Sequence, residues 1–147
     1  EGTDVGGRTV EGKCHICGRE GPLTFEHVPP RSAFNRYPVI QGHYRDYVNQ
    51  PPGTVVRGTI QQRGAGAYTL CVRCNNATGR WYGGAFADWV RQGMDIMVAA
   101  DGHPRLSYPM ACRPLRVLKQ VISMFFSVNS EGFQSKHDAL VRFVLNE

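Results

Sequence analysis

Thr24-Phe25-Glu26-His27-Val28-Pro29-Pro30 is the stretch on which the reading of the fold turns. Leu23 and Phe25 alternate with Thr24 and Glu26, the period-two pattern of a half-buried strand. Pro29 and Pro30 cannot extend a hydrogen-bonded ladder, so a strand over residues 23–28 must end there. A carboxylate and an imidazole stand side by side at that end. Neighbours in an ideal pleat point to opposite faces, so Glu26 and His27 can serve one site only if the strand twists or stops beside them.

On either side of this stretch lie two Cys-x-x-Cys pairs, Cys14/Cys17 before it and Cys71/Cys74 after it. Two tight turns that each offer two thiolates match a tetrahedral structural zinc, and no secretory signal precedes them to favour disulfides. Gly18, directly after the first pair, suits the backbone twist of a zinc-knuckle turn. His15, between two ligands, is expected to face solvent, and the fifth cysteine, Cys112, to be an inert core thiol. Ala67–Leu70 reads as a second short strand running into Cys71, placed to pair with the first across a long excursion.

That excursion, residues 31–66, interleaves Arg31, Arg36, Arg45, Arg57 and Arg63 with Phe34, Tyr37, Tyr44 and Tyr47. Arginines among aromatic rings suit a phosphate-backbone surface, although a solvated loop would carry the same residues. After Cys74, Asn75 or Asn76 is placed to cap a helix that Gly83-Gly84 interrupts and Phe86–Gly93 resumes. The clearest helix spans Pro114–Ser127. Leu115, Leu118, Val121, Ile122, Phe125 and Phe126 form its apolar face, and Arg116, Lys119, Gln120 and Ser123 its polar strip. A last helix is expected over His137–Asn146. The chain is therefore divided into a flexible tail over 1–12, a zinc-stabilised domain over 13–90 and a helical C-terminal extension over 91–147. The abrupt end of that extension suggests that the sequence continues.

The chain has 147 residues, a net charge of +5 and a pI near 9.1, which favours polyanions as partners without identifying one. No apolar run approaches the ~20 residues of a membrane span, and a cytoplasmic protein is expected.

Phosphodiester hydrolysis requires a base for the attacking water and a cation for the charge on the leaving oxygen. An imidazole suits the first role; a carboxylate with an amide oxygen suits a hard ion for the second. Cys-x-x-Cys, then Glu26-His27-x-Pro-Pro, then Leu70-Cys71-x-x-Cys74-Asn75-Asn76 together resemble the HNH endonuclease family, whose ββα-metal fold bears a zinc. The resemblance covers residues 14 to about 82. It implies an α+β fold: a small zinc-stabilised ββα-metal core with an elaborated hairpin insertion and a helical C-terminal part. It further implies zinc on Cys14, Cys17, Cys71 and Cys74, and His27 as general base. A Mg2+ or Mn2+ ion would lie on Glu26 and Asn75, with Asn76 as the substitute ligand.

The sequence departs from the family pattern in three places. Glu26 stands where Asp is commoner, Asn75 where His is commoner, and Gly66-Ala67 where the family carries its middle asparagine. The support of His27 is therefore expected from Asn49 or from a backbone carbonyl. Arg31 and Arg80 are candidate phosphate contacts. DNA is the expected partner, with RNA as an alternative, in a phage, mobile-element or defence setting, and the C-terminal helices are the expected contact for a homodimer or larger complex. The rival reading is a zinc-stabilised module that binds nucleic acid or a partner protein without cutting.

Overall fold

The computed structural model describes residues 10–55, 58–103 and 107–147. Two small antiparallel sheets and a set of helices make up a mixed α and β architecture. The main sheet holds β1 (Val10–Lys13), β2 (Glu20–His27) and β5 (Gly66–Cys71) in the order β1-β2-β5. The second sheet pairs β3 (Val39–Gln41) with β4 (Thr59–Gln61), and between these two strands lies a short helix, α1 (Tyr44–Val48). Val10–Gly12, expected to belong to a flexible tail, are strand residues paired with Gly21–Leu23. The rest of that tail, residues 1–9, lies outside the described residues.

β2 and β5 pair as their patterns imply. Glu26 lies opposite Ala67, His27 opposite Gly66, and a bulge interrupts the register between Thr24 and Phe25. The absence of a side chain at Gly66 is a steric requirement: a Cβ there would meet the Glu26 carbonyl at 2.2 Å and the Phe25 ring at 2.7 Å. β5 turns directly into α2 (Val72–Thr78), for which Cys71 occupies the N-cap position. The helix thus begins before Asn75, which sits inside its first turn instead of capping it. Gly83 and Gly84 do not break the chain's helical path either. Both hold right-handed helical angles, and a π-turn over Gly79–Gly83 joins α2 to α3 (Gly84–Ala100). The domain division expected after residue 90 falls within α3.

α4 (Pro114–Val128), α5 (Phe133–Lys136) and α6 (Asp138–Leu145) complete the chain. The larger core cluster joins Ile16, Leu23 and Leu70 of the cysteine-bearing part to Tyr82, Phe126 and Val144 of the helices. A smaller one gathers Ala33, Phe86 and Val117.

The orientation of α4 departs from the amphipathic reading. Leu115, Leu118 and Phe125 are exposed, Leu118 at 49% and Phe125 at 55%, while Lys119, Gln120 and Ser123 of the supposed polar strip are buried. The reason is local chemistry. The Lys119 ammonium donates to the Asn146 carbonyl beyond the end of α6 and lies over the Phe143 ring, 4.8 Å from its centroid, and the Tyr82 ring at 5.5 Å. A cation at the C-terminal end of a helix and over two aromatic faces is favourably placed even when buried. The Tyr82 hydroxyl donates to the Val144 carbonyl at 2.8 Å, tying α6 to the same point. Cys112, expected in the core, is exposed in the segment leading into Pro114. No helix among the described residues is long and apolar enough to cross a membrane.

Candidate metal centre and its histidine

Cys14, Cys17, Cys71 and Cys74 bring their sulfur atoms within 4.8 Å of one another. Each pair comes from a turn whose backbone the local sequence dictates. In the first, Gly18 takes φ +70° and its N–H donates to the Cys14 carbonyl at 2.9 Å, while the Cys14 N–H donates to Arg19 at 2.8 Å. In the second, the step from β5 into α2 sets Cys71 and Cys74 one helical turn apart. The Cys17 and Cys71 sulfurs stand 3.8 Å apart. That is too long for a disulfide, and it equals the edge of a tetrahedron with ~2.3 Å zinc–sulfur bonds, about 3.8 Å. The donor set therefore fits a zinc ion. The Cys14 thiol is drawn down to about 4 by the hydrogen bond from Cys74, whose own thiol is pushed up in return; burial also pushes Cys17 up. Crowded sulfurs cannot all ionise without a cation among them. His15 is half-buried instead of facing solvent, with Nδ1 3.1 Å from the Phe126 carbonyl. It links the zinc knuckle to α4.

One turn beyond Cys71, Asn75 faces β2. Its Nδ2 donates to Thr24 Oγ1 at 2.9 Å and, more weakly, to the Phe25 carbonyl at 3.4 Å. Thr24 is itself fixed by a 2.8 Å bond from its hydroxyl to the Leu70 carbonyl. With both amide hydrogens directed at β2, the Asn75 Oδ1 is left free to accept. Glu26 is two residues on from Thr24, past the bulge between Thr24 and Phe25. The Glu26 side chain is only 7% exposed, and no cation or hydrogen-bond donor among the described residues offsets its burial, which pushes its carboxyl up to about 7. A largely buried carboxyl with no charge or hydrogen-bond partner among the described residues, and an amide oxygen left free to accept, are donor types that suit a hard cation. Asn76, about 100° further round the helix, is exposed.

His27 ends β2 on the opposite face, edge-on to Phe25 with ring centroids 4.9 Å apart. Its Nε2 lies 3.0 Å from the Arg63 carbonyl. A carbonyl only accepts, so Nε2 carries the hydrogen and Nδ1 keeps the lone pair. The support comes from a backbone carbonyl, while Asn49 stands exposed at the end of α1. Partial burial lowers the His27 pKa, the hydrogen bond to the Arg63 carbonyl raises it, and the nearby Arg31 and Arg63 charges lower it again, for a net lowering that favours the neutral ring. Arg31 thus belongs to the surroundings of His27. Arg80 makes a different contact, with its guanidinium 5.9 Å from the Trp81 ring centroid on the π-turn.

Two residues with a part in this arrangement are absent from the sequence-based candidates. Arg63 supplies both the carbonyl and a charge. Asn35, buried in the loop after Pro30, holds that carbonyl in place. Its Nδ2 donates to the Pro29 and Ala65 carbonyls, both at 2.6 Å, and its Oδ1 accepts from the Ala65 N–H at 2.6 Å. Three bonds from one side chain join the segment leaving β2 to the segment entering β5. Between Arg63 and Ala65, Gly64 takes φ +91°, and a Cβ there would meet Asn35 oxygens at 2.5 Å. The only sequence signal for this clamp is Gly64, an available left-handed position in an otherwise unpatterned loop.

The chain matches no protein-family model, no curated protein and no solved structure.

Proposed function

We propose that this protein is a metal-dependent endonuclease of the HNH type, hydrolysing phosphodiester bonds in DNA. The observation that carries the reading is the Glu26 carboxyl, largely buried with no partner among the described residues, in a strand to which Asn75 is pinned; His27 follows on the opposite face where β2 ends, so the two groups would meet one phosphate around the end of the strand.

In this reading Glu26 and the Asn75 Oδ1 hold the ion, magnesium or manganese. When bound, such an ion supplies charge neutralisation at the scissile phosphate and its leaving oxygen. His27 takes the proton of the attacking water at Nδ1, while its Nε2 hydrogen stays on the Arg63 carbonyl and prevents the ring from turning. Arg31 and Arg63 attract the phosphate and resist protonation of His27 before the water arrives. The four cysteines and their zinc keep β5 and α2, and with them Asn75, fixed against β2.

Replacing His27 with Ala is expected to abolish nicking of supercoiled DNA in magnesium or manganese, a loss of at least ~100-fold, the lower range for general-base catalysis. The melting temperature is expected to move little, because His27 is only partly buried. A wild-type protein that carries zinc yet cuts neither DNA nor RNA with either ion would instead identify the scaffold as a binding module.

A further inference from the structure

The excursion between β2 and β5 does more than connect them. Between residues 28 and 65 the sequence contains five arginines, no lysine and a single acidic residue, Asp46. The salt bridges found among the described residues, Arg91–Asp88 and Arg142–Asp138, both lie outside this stretch. Guanidinium groups left without carboxylates on a surface suit phosphate oxygens, which they bind in a bidentate fork.

The same excursion exposes rings that the fold does not use. Tyr44 is 78% exposed, Tyr47 64% and Tyr37 60%. Tyr44 and Tyr47, three residues apart on α1, share one face and with Ile40 and His43 line an open concavity of about 460 Å3. The Arg36 guanidinium lies over the Tyr37 ring, 5.5 Å from its centroid. Bases stacked in a duplex offer no free π-face to such rings, whereas unpaired bases do. An apolar protein partner would be served by the rings but would have no use for these arginines, of which only Arg45 has an acidic neighbour in the sequence, Asp46.

We infer that the β3–α1–β4 excursion is a stacking surface for unpaired nucleotides, with Tyr44 and Tyr47 receiving bases and arginines such as Arg36 and Arg45 following the backbone, and that the protein therefore engages single-stranded or locally unpaired nucleic acid in preference to uniform duplex. This deepens the endonuclease reading by naming its substrate class, and it rests on that reading only for the cutting step.

The test is fluorescence anisotropy with the zinc-loaded protein in magnesium-free buffer. The probes are a single-stranded 20-mer, its perfect duplex and a duplex with a central unpaired bubble, in DNA and in RNA. Wild type is expected to bind the single strand and the bubble at least tenfold more tightly than the duplex. Tyr44→Ala with Tyr47→Ala is expected to remove most of that preference, with duplex affinity changed less than twofold, and Tyr→Phe at both positions to keep it. Arg36→Gln with Arg45→Gln is expected to weaken all probes alike and flatten the salt dependence. Equal affinity for single strand and duplex, or a double alanine variant that loses both equally, overturns the inference. So does an absence of binding to every probe, in which case the rings serve a protein interface. The DNA and RNA arms show which sugar the surface accepts. His27→Ala carried through the same titrations separates the two claims: retained binding with lost cleavage supports both, and retained preference in a wild type that never cuts overturns only the endonuclease.

Discussion

Glu26 concentrates the chemistry of the site in one side chain. Its carboxyl is pushed from the usual carboxylate range to about 7 by burial alone, so the ionised form is penalised in the fold but not in the unfolded chain. The sign follows. This group's contribution makes the protein less stable as pH rises from about 4.5 to about 7 and changes little above that. Glu26→Gln removes the ionisable group. Without divalent ions other than zinc, its stability is expected to gain on wild type by about 2 kcal/mol between pH 5.5 and pH 8. Urea denaturation at the two pH values measures this, and a difference that does not grow with pH would mean that Glu26 has an unseen partner. Added magnesium or manganese should narrow the difference at pH 8, because an ion held by the carboxylate stabilises only the folded wild type. Asn35 carries a different lesson at the same scale. Its three partners lie 6 and 30 residues away, so no local pattern marks it, although it closes the loop that orients His27.

Among the elements, β2 and β5 are those most legible in the sequence. Their patterns are local: alternation ending at Pro29, and a cysteine pair ending the second strand. α4 is the opposite case. Its limits were legible from Pro114 and the apolar repeat, but the side it turns to the core was not. The apolar-side rule treats Lys119 as a residue for water, whereas here its ammonium meets a helix-end carbonyl and two rings. A simple comparison of variants checks that orientation. Leu118→Gln on the exposed side is expected to cost less than about 0.5 kcal/mol, as surface changes do. Phe126→Ala, on a side chain with no exposed area, is expected to cost about 3–5 kcal/mol. Equal losses in thermal or urea unfolding would mean that α4 is rotated, or that Leu118 is covered in solution.

At the scale of the whole molecule, the four cysteines join the turn between β1 and β2 to the junction of β5 and α2. The sheets are small, and the larger core cluster includes Cys14 and Cys74 themselves. Elemental analysis of protein purified without chelators is expected to find about one zinc per chain. Removing it with a strong chelator at neutral pH should unfold the β1–β2–β5 sheet together with α2, because metal-binding energy in such sites is folding energy. Retention of far-UV circular dichroism and of the thermal transition after complete zinc loss would contradict that. The two cysteine pairs, the end of β2 and the adjacency of Glu26 and His27 were already set by residue type and spacing, since each depends on neighbours within a turn or a strand. The partners of those groups depend on chain segments brought together from far apart. Folding places Asn75 against Thr24, the Arg63 carbonyl on His27, Asn35 across the loop and Lys119 beneath α6, and burial rather than any motif leaves Glu26 without a partner.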